Sequence, residues 1–211
     1  MKLNNKVVLI TSYLNELFKD AKCELIYNKD YEFLIAVMLS AQTTDKKVNS
    51  VTPILFSKYK TLDELNNAKV EDIENIIKPL GLYKNKAKNI KEISSILLTK
   101  YNGIVPKEKI ELITLPGVGN KTSNVIRIEL FKEQEFPVDT HVIRVSNRLG
   151  LVNNEYNPDV IEIKLKKIFK DYDLIKLHHQ FIFFGRYKCK TKNPICNGCK
   201  FKEICKEKNS L

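Results

Sequence analysis

Towards the end of the chain four cysteines stand as Cys189-x6-Cys196-x2-Cys199-x5-Cys205, in a stretch rich in Lys and Asn where apolar periodicity has faded. A segment of that kind cannot be ordered by burying a hydrophobic face, so whatever fixes it must act through the sulfurs. Four thiols this close, in a chain with no sign of secretion, point to a metal site before a disulfide frame. Two occupants suit the spacing. A zinc ion would be enclosed by four thiolates in a tetrahedron, and an iron-sulfur cluster also takes four. The fifth cysteine, Cys23, stands alone before a helix and reads as a small core residue.

Upstream, helical spacing governs the pattern. Val7, Ile10, Leu14, Leu17 and Phe18 form one stripe, and Tyr31 to Ser40 is apolar on nearly every side, as in a buried central helix. Thr61-Leu-Asp-Glu64 is a capping box. Gly81 stops the pattern Val70 to Leu80, and Gly103 stops the one from Lys84 to Tyr101. Pro53, inside the otherwise helical Asp45 to Tyr59, should kink or divide that helix. A helix from about Thr140 to Leu149 ends at Gly150, and Pro158 opens another in its first turn. No period-2 run is long enough for a sheet, so an all-α fold is expected.

With 211 residues, 43% of them hydrophobic, the chain can bury one core or two smaller ones packed together. There is no internal repeat and no Gly/Ser linker. No apolar run approaches the roughly 20 residues of a membrane span. The start, MKLNNKVVLITSYLNELF, reads as an amphipathic helix without a cleavage site, which suggests a soluble intracellular protein. Lys plus Arg number 36 against 25 Asp plus Glu, a net charge of +11. That excess favours a polyanionic partner, since each neutralised phosphate releases counterions, although a Lys- and Asn-rich composition of the kind an AT-rich genome produces would look the same.

The stretch Leu115-Pro-Gly-Val-Gly119 permits a tight turn with backbone N–H groups exposed at the start of the next helix. It suits one phosphate of a DNA backbone, and it equally suits a plain interhelical turn. Lys121 follows in the first helical turn, where the helix dipole disfavours a cation unless a phosphate or carboxylate compensates. The same field favours the neutral amine, the form a nucleophile needs. Lys121 is therefore either a phosphate contact or a reactive group. In Pro137-Val-Asp-Thr-His-Val142, Asp139 suits an N-cap for the helix bearing Arg144 and Arg148, or a carboxylate facing Lys121 across a groove.

Taken together, Leu39-Ser-Ala-Gln-Thr-Thr-Asp45, Gly81-Leu-Tyr83, Leu115-Pro-Gly-Val-Gly119 with Lys121-Thr122, Val138-Asp-Thr-His141 and the four-cysteine spacing resemble the endonuclease III family of helix-hairpin-helix DNA glycosylases. The resemblance covers nearly the whole chain. It implies a six-helix barrel domain at about residues 22–133, and a discontinuous domain of residues 1–21 and 134–211 holding a 4Fe-4S cluster on Cys189, Cys196, Cys199 and Cys205. A groove between them would take bent duplex DNA containing a damaged pyrimidine or an abasic site. The damaged nucleotide would be flipped out of the stack, at lower cost where its pair is already weak. Lys121 would attack C1′ of its deoxyribose, and proton abstraction at C2′ would then break the 3′ phosphodiester by β-elimination. Asp139 would stabilise positive charge developing on the sugar and exchange protons with the amine.

The resemblance further implies that Gln42 fills the space left by the flipped nucleotide and that Leu82 wedges into the opposite strand. From residue type alone these would be a helix-terminal polar residue and a core leucine. Gly117 and Gly119 would hold a phosphate, and Lys190 and Lys192 of the cysteine loop would reach others. The enzyme would work as a monomer in a bacterial-type cytoplasm, associated with the nucleoid. Two positions depart from relatives. Asn120 stands where many carry a basic residue, and Ala36 stands where adenine glycosylases of the superfamily carry a glutamate, which argues against adenine excision. The rival readings are a helix-hairpin-helix DNA-binding protein without catalysis and a zinc-stabilised binding module. His141, His178 and His179 show no clear metal role and read as structural or DNA-proximal.

Overall fold

Helical periodicity translates into helices throughout the computed structural model, which describes residues 2–207, with no strand among them. Met1 and residues 208–211, assigned from sequence to the discontinuous domain, lie outside the described residues. In chain order the helices are α1 (Leu3–Leu17), α2 (Asp30–Leu39), α3 (Asp45–Lys58), α4 (Leu62–Asn67), α5 (Val70–Ile77), α6 (Tyr83–Tyr101), α7 (Lys109–Leu112), α8 (Asn120–Leu130), α9 (Thr140–Arg148), α10 (Pro158–Ile168) and α11 (Leu174–Phe183). A 3₁₀ turn, Lys78–Leu80, follows α5, and a π-helical turn, Phe184–Lys188, follows α11. The chain divides into two compact units, one of Glu24–Phe131 and one joining Met1–Cys23 to Lys132–Leu211.

In the continuous unit α2 is the central helix, buried from Tyr31 through Leu39 as its all-round apolar sequence requires. Around it pack α3, α6 and α8. Thr61 caps α4 by accepting from the Glu64 N–H, and Glu64 reaches back to the N–H of Lys60, one residue before the cap. Helix α3 is not divided at Pro53. The proline is exposed, so its ring and the lost backbone bond face the solvent side, where a helix tolerates longer carbonyl contacts. α6 ends at Asn102 and Gly103, both left-handed, with the Gly103 N–H donating to the Leu97 carbonyl at 2.8 Å.

The discontinuous unit packs α1, α9, α10, α11 and the π-helical turn round a core of Ile10, Leu14, Val142, Val145, Leu165, Phe136, Phe169, Phe181 and Phe184. His178 and His179 are buried there, His178 with its ring edge-on to Phe136. The cysteine segment proves to have a hydrophobic anchor after all. Phe201, 1% exposed, meets Tyr13 and Phe184 edge-on at centroid distances of 4.9 and 5.1 Å. A single aromatic in a polar run leaves no periodic trace. Cys23 is half-buried instead of lying in the core.

Candidate active site

The glycine turn sits between α7 and α8. Leu115 and Val118 are buried, and the Val118 N–H closes the turn on the Leu115 carbonyl at 3.1 Å. Gly117 adopts φ +75°, a left-handed conformation that side chains disfavour. Gly119 is the N-cap of α8, with no side-chain cap and no acidic residue in the first turn. That helix start therefore offers its backbone N–H groups and positive dipole end to an anion. Lys121, the second residue of α8, is exposed, while Ser123 and Asn124 behind it are buried.

Asp139 is the N-cap of α9. Its Oδ1 accepts from the N–H groups of His141 and Val142 at 2.8 and 2.9 Å, which leaves Oδ2 outside the capping interaction. The helix it starts is tied to the cysteine loop by two arginines. Arg144 donates through Nη2 to the Gly185 carbonyl at 2.7 Å and through Nε to the Cys189 carbonyl at 3.0 Å. Arg148 donates through Nη1 to the Lys190 carbonyl at 2.7 Å and contacts the Cys189 sulfur at 3.4 Å. Gly185 makes this approach feasible, because a Cβ there would lie 2.8 Å from the His141 Cβ. That requirement was invisible in the sequence, where Gly185 is one residue of an aromatic and basic run.

Cys189, Cys196, Cys199 and Cys205 line a single cavity of about 50 Å³, together with Arg148, Phe184 and Phe201. Burial pushes the Cys189 thiol up, against the opposing pull of Arg148 and Arg144. Burial likewise raises Cys199, opposed by the Phe201 N–H and Lys188. Thiolates in such a place need positive charge, which the arginines supply in part and a bound metal centre would supply in full. The donor set, four soft sulfurs round one cavity, fits a four-thiolate group. Among the described residues no three His, Cys, Asp or Glu side chains converge as the ligands of a single ion would. Lys190 and Lys192 are exposed on the same loop.

In the continuous unit Gln42 lies in the turn after α2 and Leu82 is the N-cap of α6; both are non-glycine residues with left-handed backbones, at φ 57° and 49°. Leu82 is 60% exposed, so it is not a core leucine. Sequence reasoning missed Lys86, one of three lysines in Lys84-Asn-Lys-Ala-Lys88, which is buried four residues after Leu82. Its only signal was its position on the face of α6 shared with Leu82 and Ile90.

Residues 35–171 match the model of the HhH-GPD superfamily base excision DNA repair protein. The chain is also 42% identical over 197 residues to endonuclease III of Bacillus subtilis, covering 92% of this chain and 89% of that protein. The chain belongs to the endonuclease III family. Solved structures of the endonuclease III fold agree. One, a non-covalent endonuclease III–DNA complex, matches with a TM-score of 0.92 at 42% identity, over 98% of this chain and 96% of the other. Another, a trapped endonuclease III–DNA covalent intermediate termed an estranged-adenine complex, matches with the same score and identity over 98% and 97%. The all-α fold expected from periodicity is thus the endonuclease III fold.

Proposed function

We propose that this endonuclease III family member is a bifunctional DNA glycosylase/AP lyase that removes oxidised or otherwise damaged pyrimidines from duplex DNA and nicks 3′ to the resulting abasic site. The observation that carries the reading is Lys121, an exposed amine on the second residue of an uncapped helix directly after the glycine turn. A relative 42% identical to this chain has been solved as a covalent intermediate with DNA, and such an intermediate requires a nucleophile.

The amine lone pair of Lys121 attacks C1′. The bond from C1′ to the base breaks, and the base leaves with the bonding pair and gains a proton. Loss of the amine proton and opening of the sugar leave an iminium between Lys121 and C1′. Removal of a proton from C2′ then expels the 3′ phosphate from C3′, and water releases the enzyme. Asp139, with Oδ1 engaged in capping, uses its charge to stabilise the oxocarbenium-like sugar and takes part in proton transfer with the amine. Gly117 and Gly119 hold a phosphate at the start of α8, and Lys190 and Lys192 contact others. Gln42 fills the gap left by the flipped nucleotide, and Leu82 enters the opposite strand.

Cys189, Cys196, Cys199 and Cys205 would hold a 4Fe-4S cluster, whose contribution is to order their loop and, through Arg144 and Arg148, the helix that starts at Asp139. The partner is double-stranded DNA, and the protein acts as a monomer on the cytoplasmic nucleoid. No helix among the described residues is long and apolar enough to cross a membrane. Borohydride trapping on a duplex with an abasic site tests the reading. Wild type should form a covalent adduct and Lys121→Gln should not; an adduct that survives Lys121→Gln would refute the mechanism, and no adduct with wild type would favour a non-catalytic DNA-binding protein.

A further inference from the structure

Lys86 is 4% exposed, a rare place for an ammonium group. Its Nζ donates to the Ala41 carbonyl at 2.9 Å and reaches the Leu80 carbonyl at 3.5 Å. The Leu80 carbonyl also accepts from the Thr43 hydroxyl at 2.9 Å. One amine and one hydroxyl therefore join two turns that are far apart in sequence, residues 40–44 after α2 and residues 80–82 before α6.

Each of those turns carries a non-glycine residue in the left-handed region, Gln42 in one and Leu82 in the other, and both side chains are exposed. A left-handed leucine or glutamine costs about 1–2 kcal/mol and persists only where the surroundings over-determine it. Burying an ammonium is also unfavourable unless its donors are satisfied, and here burial pushes the Lys86 amine below its usual range. An apolar residue at position 86 would fill the same space without that cost. What it could not do is bind the carbonyls of both turns at once.

Helix α6 adds a geometric reason. Leu82, Lys86 and Asn89 are spaced i, i+4, i+7 and so share one face. Leu82 stands at the exposed end, Lys86 grips the Gln42 turn, and Asn89 lies against Gly117 of the glycine hairpin. A single helical face thus underlies three elements assigned to DNA.

We propose that Lys86 is a positioning residue for this reaction: it locks the Gln42 turn to the Leu82 turn, so that the two side chains enter DNA at a fixed separation. This rests on the reading of Gln42 and Leu82 as inserting residues. Because a misplacement of about 1 Å can cost on the order of a hundredfold in rate, the lock contributes to function although Lys86 touches no substrate.

The test uses two substrates, an abasic site in duplex DNA and the same abasic strand alone. Only the duplex has a partner strand to wedge and a gap to fill, while Lys121 meets the same sugar in both. Lys86→Met keeps the stem and removes the donors. Thr43→Val removes the other arm without touching a buried charge, and serves alone should Lys86→Met fail to fold. We expect kcat/KM on the duplex to fall roughly ten- to hundredfold for Lys86→Met and less for Thr43→Val, with single-strand cleavage changed less than about threefold. Equal losses on both substrates, or none on either, would overturn the proposal. Leu82→Ala measured alongside separates the two failures. If it leaves duplex cleavage unchanged, the reading of Leu82 is wrong; if it is duplex-selective while neither Lys86→Met nor Thr43→Val is, the positioning role alone is wrong.

Discussion

A Cβ on Gly117 would lie 2.5 Å from Nδ2 of Asn89, in a turn already held at φ +75°. The glycine is required twice, once by the backbone and once by the close approach of α6, with Met38 a further 3.0 Å neighbour. Gly117→Ala should therefore lose about 2–4 kcal/mol in a urea titration, the sum of a left-handed penalty and a clash. Adding Asn89→Ala should relieve only the contact with Asn89, because the Met38 neighbour stays in place and the conformational penalty is intrinsic to the turn. Full recovery in the double variant would show that φ contributes nothing.

The observed capping role of Asp139 and its proposed catalytic role can be separated by substitution. Asparagine caps a helix about as well as aspartate, whereas alanine costs about 1 kcal/mol. Asp139→Asn should thus unfold within about 0.5 kcal/mol of wild type, yet release damaged base roughly a hundred- to a thousandfold more slowly for want of the charge. Asp139→Ala should lose both. If Asp139→Asn keeps wild-type base release, the carboxylate is a cap and nothing more.

What could be read from the chain beforehand was whatever is encoded locally. Caps at Thr61 and Asp139, Pro158 in the first turn of α10, the stops at Gly81, Gly103 and Gly150, and the all-apolar run of α2 each depend on residues within a turn or two of each other. What could not be read depends on tertiary approach. Lys86 looks like any surface lysine until α6 is laid against the turns after α2 and α5. Gly185 is unremarkable until His141 is beside it, and Phe201 stands between two lysines in sequence although it ends in the core. The exposure of Leu82 belongs to the same class, since residue type alone points inward.

Phe201 gives the cysteine segment an anchor independent of its sulfurs. Phe201→Ala should cost about 3–5 kcal/mol, as for other fully buried aromatics. Its signature should be local as well as global: faster tryptic cleavage at Lys200 and Lys202 under native conditions, because the segment opens before the rest of its unit. Cleavage at wild-type rate would mean that the cysteines alone order the loop.

His141 should make stability fall in mild acid. Burial lowers its pKa, Arg144 and Arg186 push the same way, and Asp139 with the Gly185 backbone opposes them. Nδ1 of His141 lies 3.1 Å from Nη2 of Arg144, a permanent donor, so the ring serves as acceptor there and its neutral form fits. As pH drops, the unfolded chain takes up the proton first, near its ordinary value of about 6.5. The stabilisation is therefore complete above about pH 6.5 and is lost as pH falls through the lower folded value. Denaturant titrations between about pH 7.5 and 5 should show a steeper decline for wild type than for His141→Gln, whose amide can accept from Arg144 without titrating. Asp139→Asn removes the group that opposes the shift, so it should steepen the decline further. Parallel slopes in all three proteins would mean that His141 titrates as it does in the unfolded chain.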